Sequence, residues 1–258
     1  MAFAELHALS HYSFLRSAAA PEELVCRAEE LGYSAIAITD ECSVAGIVKA
    51  YEEAKQRDIK LIIGSEFHIA DYGTFVVLAP TRDAYAELSQ KITEFRGRSK
   101  KGSYQANIED FFTGFAGCFL LWLPDFQQSQ LVAVGKKLCH VWHSRFWLLY
   151  ERHYQADDSE TFNAIVELNK VLKARVVCAG DVRMATKQQQ PLFDTMSAIR
   201  EGHSLYENSG VASGNAERHL RSLQELKQCY PEAWLNESSN IANQCHFCLS
   251  ELRYEYPA

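Results

Sequence analysis

Residues 3–15 read FAELHALSHYSFL and carry two histidines, of which His7 lies inside a short apolar run. In a strand, residues 7 and 9 share a face, so a donor at position 9 could chelate a metal together with His7; the residue there is Leu9, which has no lone pair. Further donors stand where other apolar runs end: Asp40 with Glu41, Glu66 with His68, and Asp181. Imidazole and carboxylate groups from separate strands suit Zn²⁺ or Mn²⁺. A cluster of such ions hydrolyses phosphoesters by generating hydroxide and neutralising the leaving oxygen. A single strand-end carboxylate has a plain alternative, capping the next helix or pairing with a basic neighbour, and for Asp40 the residue types leave both open.

These side chains converge only if the strands are neighbours. Seven strand candidates stand out: 5–9, 34–40, 60–67, 73–80, 116–124, 145–152 and 175–182. Helical text lies between most of them, as in PEELVCRAEELG (21–32), where Pro21 suits the first turn, Leu24, Ala28 and Leu31 share a face, and Gly32 suits the C-terminal cap. Apolar strands joined by helical crossovers predict an α/β fold with a parallel sheet, and a closed barrel is preferred to an open doubly wound sheet. In either, chemistry gathers at the C-terminal ends of the strands. From about residue 188 the text turns helical, so residues 1–187 are expected to form the barrel and 188–258 a helical extension.

Composition excludes several classes. With 258 residues, 47% of them hydrophobic, the chain can bury a full core. Its net charge of -7 argues against a surface that wraps nucleic acid throughout. One local basic stretch, RGRSKKGS (96–103), carries Arg96, Arg98, Lys100 and Lys101 together with two glycines, and is either a solvated connection or a contact to DNA phosphates. No apolar run reaches the roughly 18 residues of a membrane span and no signal-peptide pattern opens the chain, so a cytoplasmic protein without membrane contact is expected. Eight scattered cysteines suit a reducing compartment, and CHFC (245–248), lacking a second pair, is read as core cysteines. Trp142 and Trp147 are assigned to the layer between barrel and helices. His11, His140, His143, His203 and His219 are given surface or packing roles.

The succession FAELHALSHYSFL, AIAITDECSVAGIVKAYEEAK, KLIIGSEF and VVCAGDV, in that order, resembles the PHP (polymerase and histidinol phosphatase) domain at the front of bacterial DnaE-type DNA polymerases. ELHALSHYSFLRSA, PLFDTMSAIR, NAERHLRS and LRYEYP resemble its error-prone branch, ImuC. The resemblance implies a distorted seven-stranded (β/α) barrel. It also implies a metal site opening on a His-x-His pair, here His7-Ala8-Leu9. By the same resemblance, ligands of active members fall near Arg16, Glu41 and Thr74, and the closing Asp-x-His is Asp181-Val182-Arg183. His7, Glu66 and Asp181 remain as metal-ligand candidates, with Cys118 and His153 near the site but not securely aligned.

Stripped of metal, Glu66 and Asp181 would repel each other in a partly desolvated bowl. Arg16 and Arg183 stand where ligands would be. A guanidinium cannot bind a metal but can bridge carboxylates through forked hydrogen bonds, so the expectation is a vestigial site without catalytic residues. The resemblance places the sequence at the front of a translesion polymerase whose absent core uses Mg²⁺, with LRYEYPA leading toward that core. Its implied partners are the core itself, the sliding clamp, companion mutagenesis proteins and DNA. Two other classes stay open: an active phosphoesterase or 3′-5′ exonuclease using Mn²⁺ or Zn²⁺, and a stand-alone barrel enzyme acting on a small phosphorylated substrate.

Overall fold

A computed structural model describes residues 2–128, 130–204 and 215–252. Part of the expected helical extension (205–214) and most of LRYEYPA (253–258) lie outside the described residues. The strands are β1 (Ala4–Ala8), β2 (Ala35–Ile38), β3 (Lys60–Ile69), β4 (Gly73–Leu78), β5 (Phe119–Leu123), β6 (Phe146–Glu151) and β7 (Arg175–Ala179). Between and after them run α1 (Pro21–Glu30), α2 (Ile47–Ala54), α3 (Arg82–Gly97), α4 (Asp110–Thr113), α5 (Leu131–Trp142), α6 (Asp158–Leu172), α7 (Gln190–Glu201), α8 (Leu223–Cys229) and α9 (Glu232–Gln244). Helix α1 shows why the local text folds as it does: Pro21 occupies the first turn, Leu24 and Ala28 are buried, and Gly32 follows the helix at φ 77°.

The strands order themselves β1 to β7 in one curled sheet. Its edges meet just beyond β7, where Leu9 N donates to Val182 O (2.9 Å) and Val182 N to His7 O (2.9 Å). The result is a distorted seven-stranded barrel of the α/β class. The expected all-parallel sheet is corrected: β4 pairs antiparallel with both β3 and β5, while the other pairs are parallel. Only Ala70, Asp71 and Tyr72 separate β3 from β4, far short of the dozen or so residues a crossover needs. Asp71 (φ 70°) and Gly73 (φ 91°) turn the hairpin, and a Cβ at Gly73 would collide with the Leu123 carbonyl. Because β4 runs backwards, its first residues, Thr74 among them, open on the same end as the C-termini of the other strands.

Strand alternation divides the core in two. Leu6, Ala37, Ile62, Leu78, Leu121, Leu149 and Val177 face the barrel interior, and Ile241 and Ala242 of α9 close its floor. Ser238 accepts from Ala4 N (3.2 Å), and the Ala242 carbonyl accepts from Lys60 Nζ (2.6 Å), fixing α9 there. The outer layer holds Ile38, Phe75, Trp122 and Leu148 against Leu88, Leu138, Trp142 and Ile165 of the helices. Each such fully buried side chain contributes about 1.5–3 kcal/mol. Trp147 departs from expectation. Its position in β6 aligns with Leu149, so it points inward, where its Nε1 donates to Glu237 of α9 (2.7 Å). Cys245 is buried in the same inner cluster, Cys248 is partly exposed, and all eight cysteines are free thiols. Among the described residues no helix is long and apolar enough to cross a membrane.

Candidate functional site

The C-terminal ends of the strands open on a bowl of about 720 Å³ lined by His7, Arg16, Glu66, Thr74, Glu151, His153, Asp181, Arg183 and Arg218, with α6 and α7 as part of its wall. His7 is the centre. Its Nε2 lies 2.7 Å from Glu66 Oε2 and its Nδ1 2.6 Å from Glu151 Oε1, all three residues being buried. Between ionised carboxylates each contact needs an N–H facing a carboxylate oxygen, an arrangement that favours the imidazolium. Burial works against that charge, but Glu151 and Glu66 outweigh it and raise its pKa to about 9. Behind it, Glu5 accepts from His7 N (2.9 Å) and Gly180 N (3.0 Å), tying β1 to the end of β7; burial pushes its own carboxyl up to about 7.

The arginines extend this into a continuous chain of opposite charges. Nη1 of Arg16 pairs with Glu41 and reaches Glu66 Oε1 at 3.0 Å. Nη2 of Arg183 lies 2.5 Å from Asp181 Oδ1 and 3.5 Å from Glu66 Oε2, and Arg218 pairs with Asp181 Oδ2. The expected forked bridges are corrected: in Arg16 and in Arg183 one nitrogen serves two carboxylates. Glu66 Oε1 and Asp181 Oδ1 have no aligned hydrogen bond, so these contacts act as close charges rather than directed bonds. Four carboxylates (Glu41, Glu66, Glu151, Asp181) thus face three guanidiniums and one imidazolium. Burial by itself would raise the Glu66 pKa; Arg183, His7 and Arg16 instead hold it at about 2. Asp181 sits at φ 41°, a left-handed conformation uncommon outside glycine, held by the flanking bridge to β1.

Not every expected residue joins the bowl. Leu9 is buried beside the β1 edge and lines nothing. For Asp40, open between ligand and structural carboxylate, the contacts are those of a loop anchor: it accepts from Ser10 N (2.9 Å), Ser10 Oγ (2.8 Å) and Ser13 Oγ (2.7 Å). Ser13→Ala is expected to cost about 2 kcal/mol, since Ser13 Oγ also accepts from Glu41 N (2.9 Å); urea denaturation at pH 7 measures it. Glu41 meets the cluster only at its rim, where Tyr104 also donates to it (3.0 Å). His68 shares the Glu66 face of β3 but lies exposed beyond the bowl and does not line it, and Cys118 precedes β5 at the opposite end, its thiol on Ala84 O (3.4 Å). In the basic stretch, Arg96 donates to Cys42 O (2.8 Å) and Arg98 pairs with Asp110 (2.6 Å), whereas Lys100 and Lys101 are exposed.

Two residues were missed. Glu151 ends β6 and stands two positions before His153, the same i, i+2 spacing that was looked for at His7 and Leu9; that was the available signal. Arg218 carries none, because tertiary pairing places it: Arg183 N and Met184 N both donate to its carbonyl. His153 is buried with both ring nitrogens unpartnered, its Nε2 3.8 Å from Glu151. Burial lowers its pKa, against the pull of Glu151, and so favours the neutral ring.

Among the described residues two sets of three donors lie within 4.8 Å of one another, His7–Glu66–Asp181 and Glu151–His153–Asp181, close enough for one ion to bridge. In the first, both His7 ring nitrogens already face carboxylates and Asp181 is paired with two guanidiniums, so a metal would have to displace these contacts. The second keeps one free imidazole but shares the same occupied Asp181.

The profile of the PHP domain matches residues 5–177. The chain belongs to the PHP domain family. This PHP domain is 69% identical over 99% of its length to an error-prone DNA polymerase of Idiomarina loihiensis and 43% identical, also over 99%, to one of Methylococcus capsulatus. It spans about a quarter of the length of those relatives (25% and 24%). Among solved structures, an amidohydrolase from Chromobacterium violaceum with bound sulfate and no metal shares the fold (TM-score 0.51, 16% identity, covering 70% of this chain and 88% of that one).

Proposed function

We propose that this PHP domain is a non-catalytic module of an error-prone DNA polymerase acting in translesion synthesis, with Arg16, Arg183, Arg218 and the His7 imidazolium in the electrostatic place of metal ions. The observation that carries the reading is the pair of short contacts from His7 to Glu66 and Glu151, which consume both ring nitrogens. The charges are satisfied internally, so the bowl needs no cation to fold. In this reading residues 1–187 supply the barrel and 188–258 lead to a polymerase core. That core carries the Mg²⁺ chemistry, and the sliding clamp, companion mutagenesis proteins and DNA engage the full-length cytoplasmic protein. DNA contact through residues 96–103 narrows to Lys100 and Lys101. Replacing both with Ala in the full-length protein is expected to weaken single-stranded DNA binding and lower the salt slope by about 1.4.

One observation favours a second reading, a metal-dependent phosphoesterase or 3′-5′ exonuclease: the unpartnered His153 beside Glu151. An assay separates them. Purified chain with single-stranded DNA and added Mn²⁺ or Zn²⁺ is expected to show no 3′ trimming. Turnover that is lost in both His7→Ala and His153→Ala would overturn the non-catalytic reading.

A further inference from the structure

The arginine cluster does more than balance charge, because Arg16 belongs to the loop between β1 and α1 and anchors its far end. Ser10 and Ser13 turn inward onto Asp40, Ser13 N donates to Ser10 O (2.9 Å), Arg16 N to Ser13 O (2.9 Å), and His11 N to Ala19 O (2.8 Å). With residues 10, 13 and 16 all facing in, Tyr12 and Phe14 must face out. Phe14 is 82% exposed and Tyr12 43%. An aromatic ring left in water on a loop this well fixed has lost its ordering entropy in advance, the property of an interface anchor. Helix α7 packs beside this loop through Phe193 and Met196 against Ala18, and sets Leu192 and Ile199, one heptad apart, outward as well (51% and 61% exposed).

We propose that Phe14, with Tyr12, is the anchor by which the PHP barrel docks the remainder of its own polypeptide, and that the arginine cluster fixes the loop that presents it. This rests on the reading of the chain as one module of a longer polymerase. Size selects the occupant. A few side chains of roughly 150–250 Å² each fall well below the 1,200 Å² or more of total surface that a stable complex between separate molecules buries. A tethered partner present at millimolar effective concentration needs no more than that. The chain spans a quarter of its curated relatives, so in a polypeptide of their length three quarters would be tethered to it. Nucleic acid is disfavoured as occupant: Tyr12 lies near Lys49, whose charge is met by Glu52 and Glu22, Glu23 is exposed on α1, and the chain carries a net charge of -7.

The test places photoreactive p-benzoylphenylalanine at position 14 of the full-length polypeptide, with the same substitution at exposed Val171 of α6 as control. Mass spectrometry is expected to find position 14 joined to peptides outside residues 1–258 of the same molecule, in a yield independent of protein concentration. A yield that rises with concentration and maps to a second copy overturns the proposal. Crosslinks to added DNA, or none above the Val171 control, do the same. The Phe14→Ser variant should keep its thermal midpoint within about 1 °C, since that ring buries nothing in the barrel, while amide exchange in the crosslinked segment rises several-fold. An encoded polypeptide ending with this chain would defeat the polymerase reading itself; a longer one that Phe14 fails to touch defeats only the docking.

Discussion

Replacing Arg183 with leucine is expected to lower stability by about 3–5 kcal/mol at pH 7.5, the cost of removing one member of a buried ion network. Arg183 is buried, and its Nη2 serves both Asp181 and Glu66. Leucine fills much of its volume but leaves two carboxylates facing each other, with Arg16 and Arg218 on their outer sides. The thermal midpoint should fall by roughly 6–20 °C for a chain of this size. The loss should shrink near pH 5, because an uncompensated carboxylate regains stability by taking up a proton. Urea denaturation of both proteins at the two pH values measures it. A difference below about 1 kcal/mol at pH 7.5 would mean that Arg183 holds no network together.

The second large effect is a dependence on pH that His7 sets. Its folded pKa is raised to about 9 from an ordinary value near 6.5, so between those values the folded protein binds a proton that the unfolded chain lacks. Stability is then fully present below about 6.5 and is lost as pH rises through about 9, by roughly 3 kcal/mol. Glu66 works in the opposite sense. Held at about 2, it contributes stability above about 4.5 that is lost as pH falls toward 2. The two contributions share one ion pair and are not additive. His7→Gln should lower stability at pH 7 and remove the alkaline decline between pH 6.5 and 9. A variant that keeps the wild-type slope would place the titration elsewhere.

The seven strands were legible because each is a short apolar run bounded by turn or helix text, and the barrel class followed from their alternation with helices. The reversed β4 was hidden by that same rhythm. The five-residue gap between runs 60–67 and 73–80 was the contrary signal, and it outweighs apolar continuity because no helix fits in it. At the site, His7, Arg16, Glu66, Asp181 and Arg183 come together from β1 and β3 and the segments that follow β1 and β7, as strands running the same way require. Asp40 misleads because a strand-end carboxylate looks the same whether it binds a metal or, as here, two serines. Glu151 is masked by Arg152, which makes the end of β6 look like ordinary surface, and Arg218 is brought in by backbone pairing that no local pattern encodes. Trp147 shows the same limit: its type fits either face of the sheet, and only the position of α9 on the barrel floor makes the interior the place for an indole N–H.

The central claim, that arginine and imidazolium charge stands where a metal would, meets its most direct test in anomalous diffraction from crystals grown with Mn²⁺ or Zn²⁺ at near-neutral pH. The expected map shows guanidinium density of Arg183 between Glu66 and Asp181 and no anomalous peak in the bowl. A strong peak bridging His7, Glu66 and Asp181, or Glu151, His153 and Asp181, would contradict it.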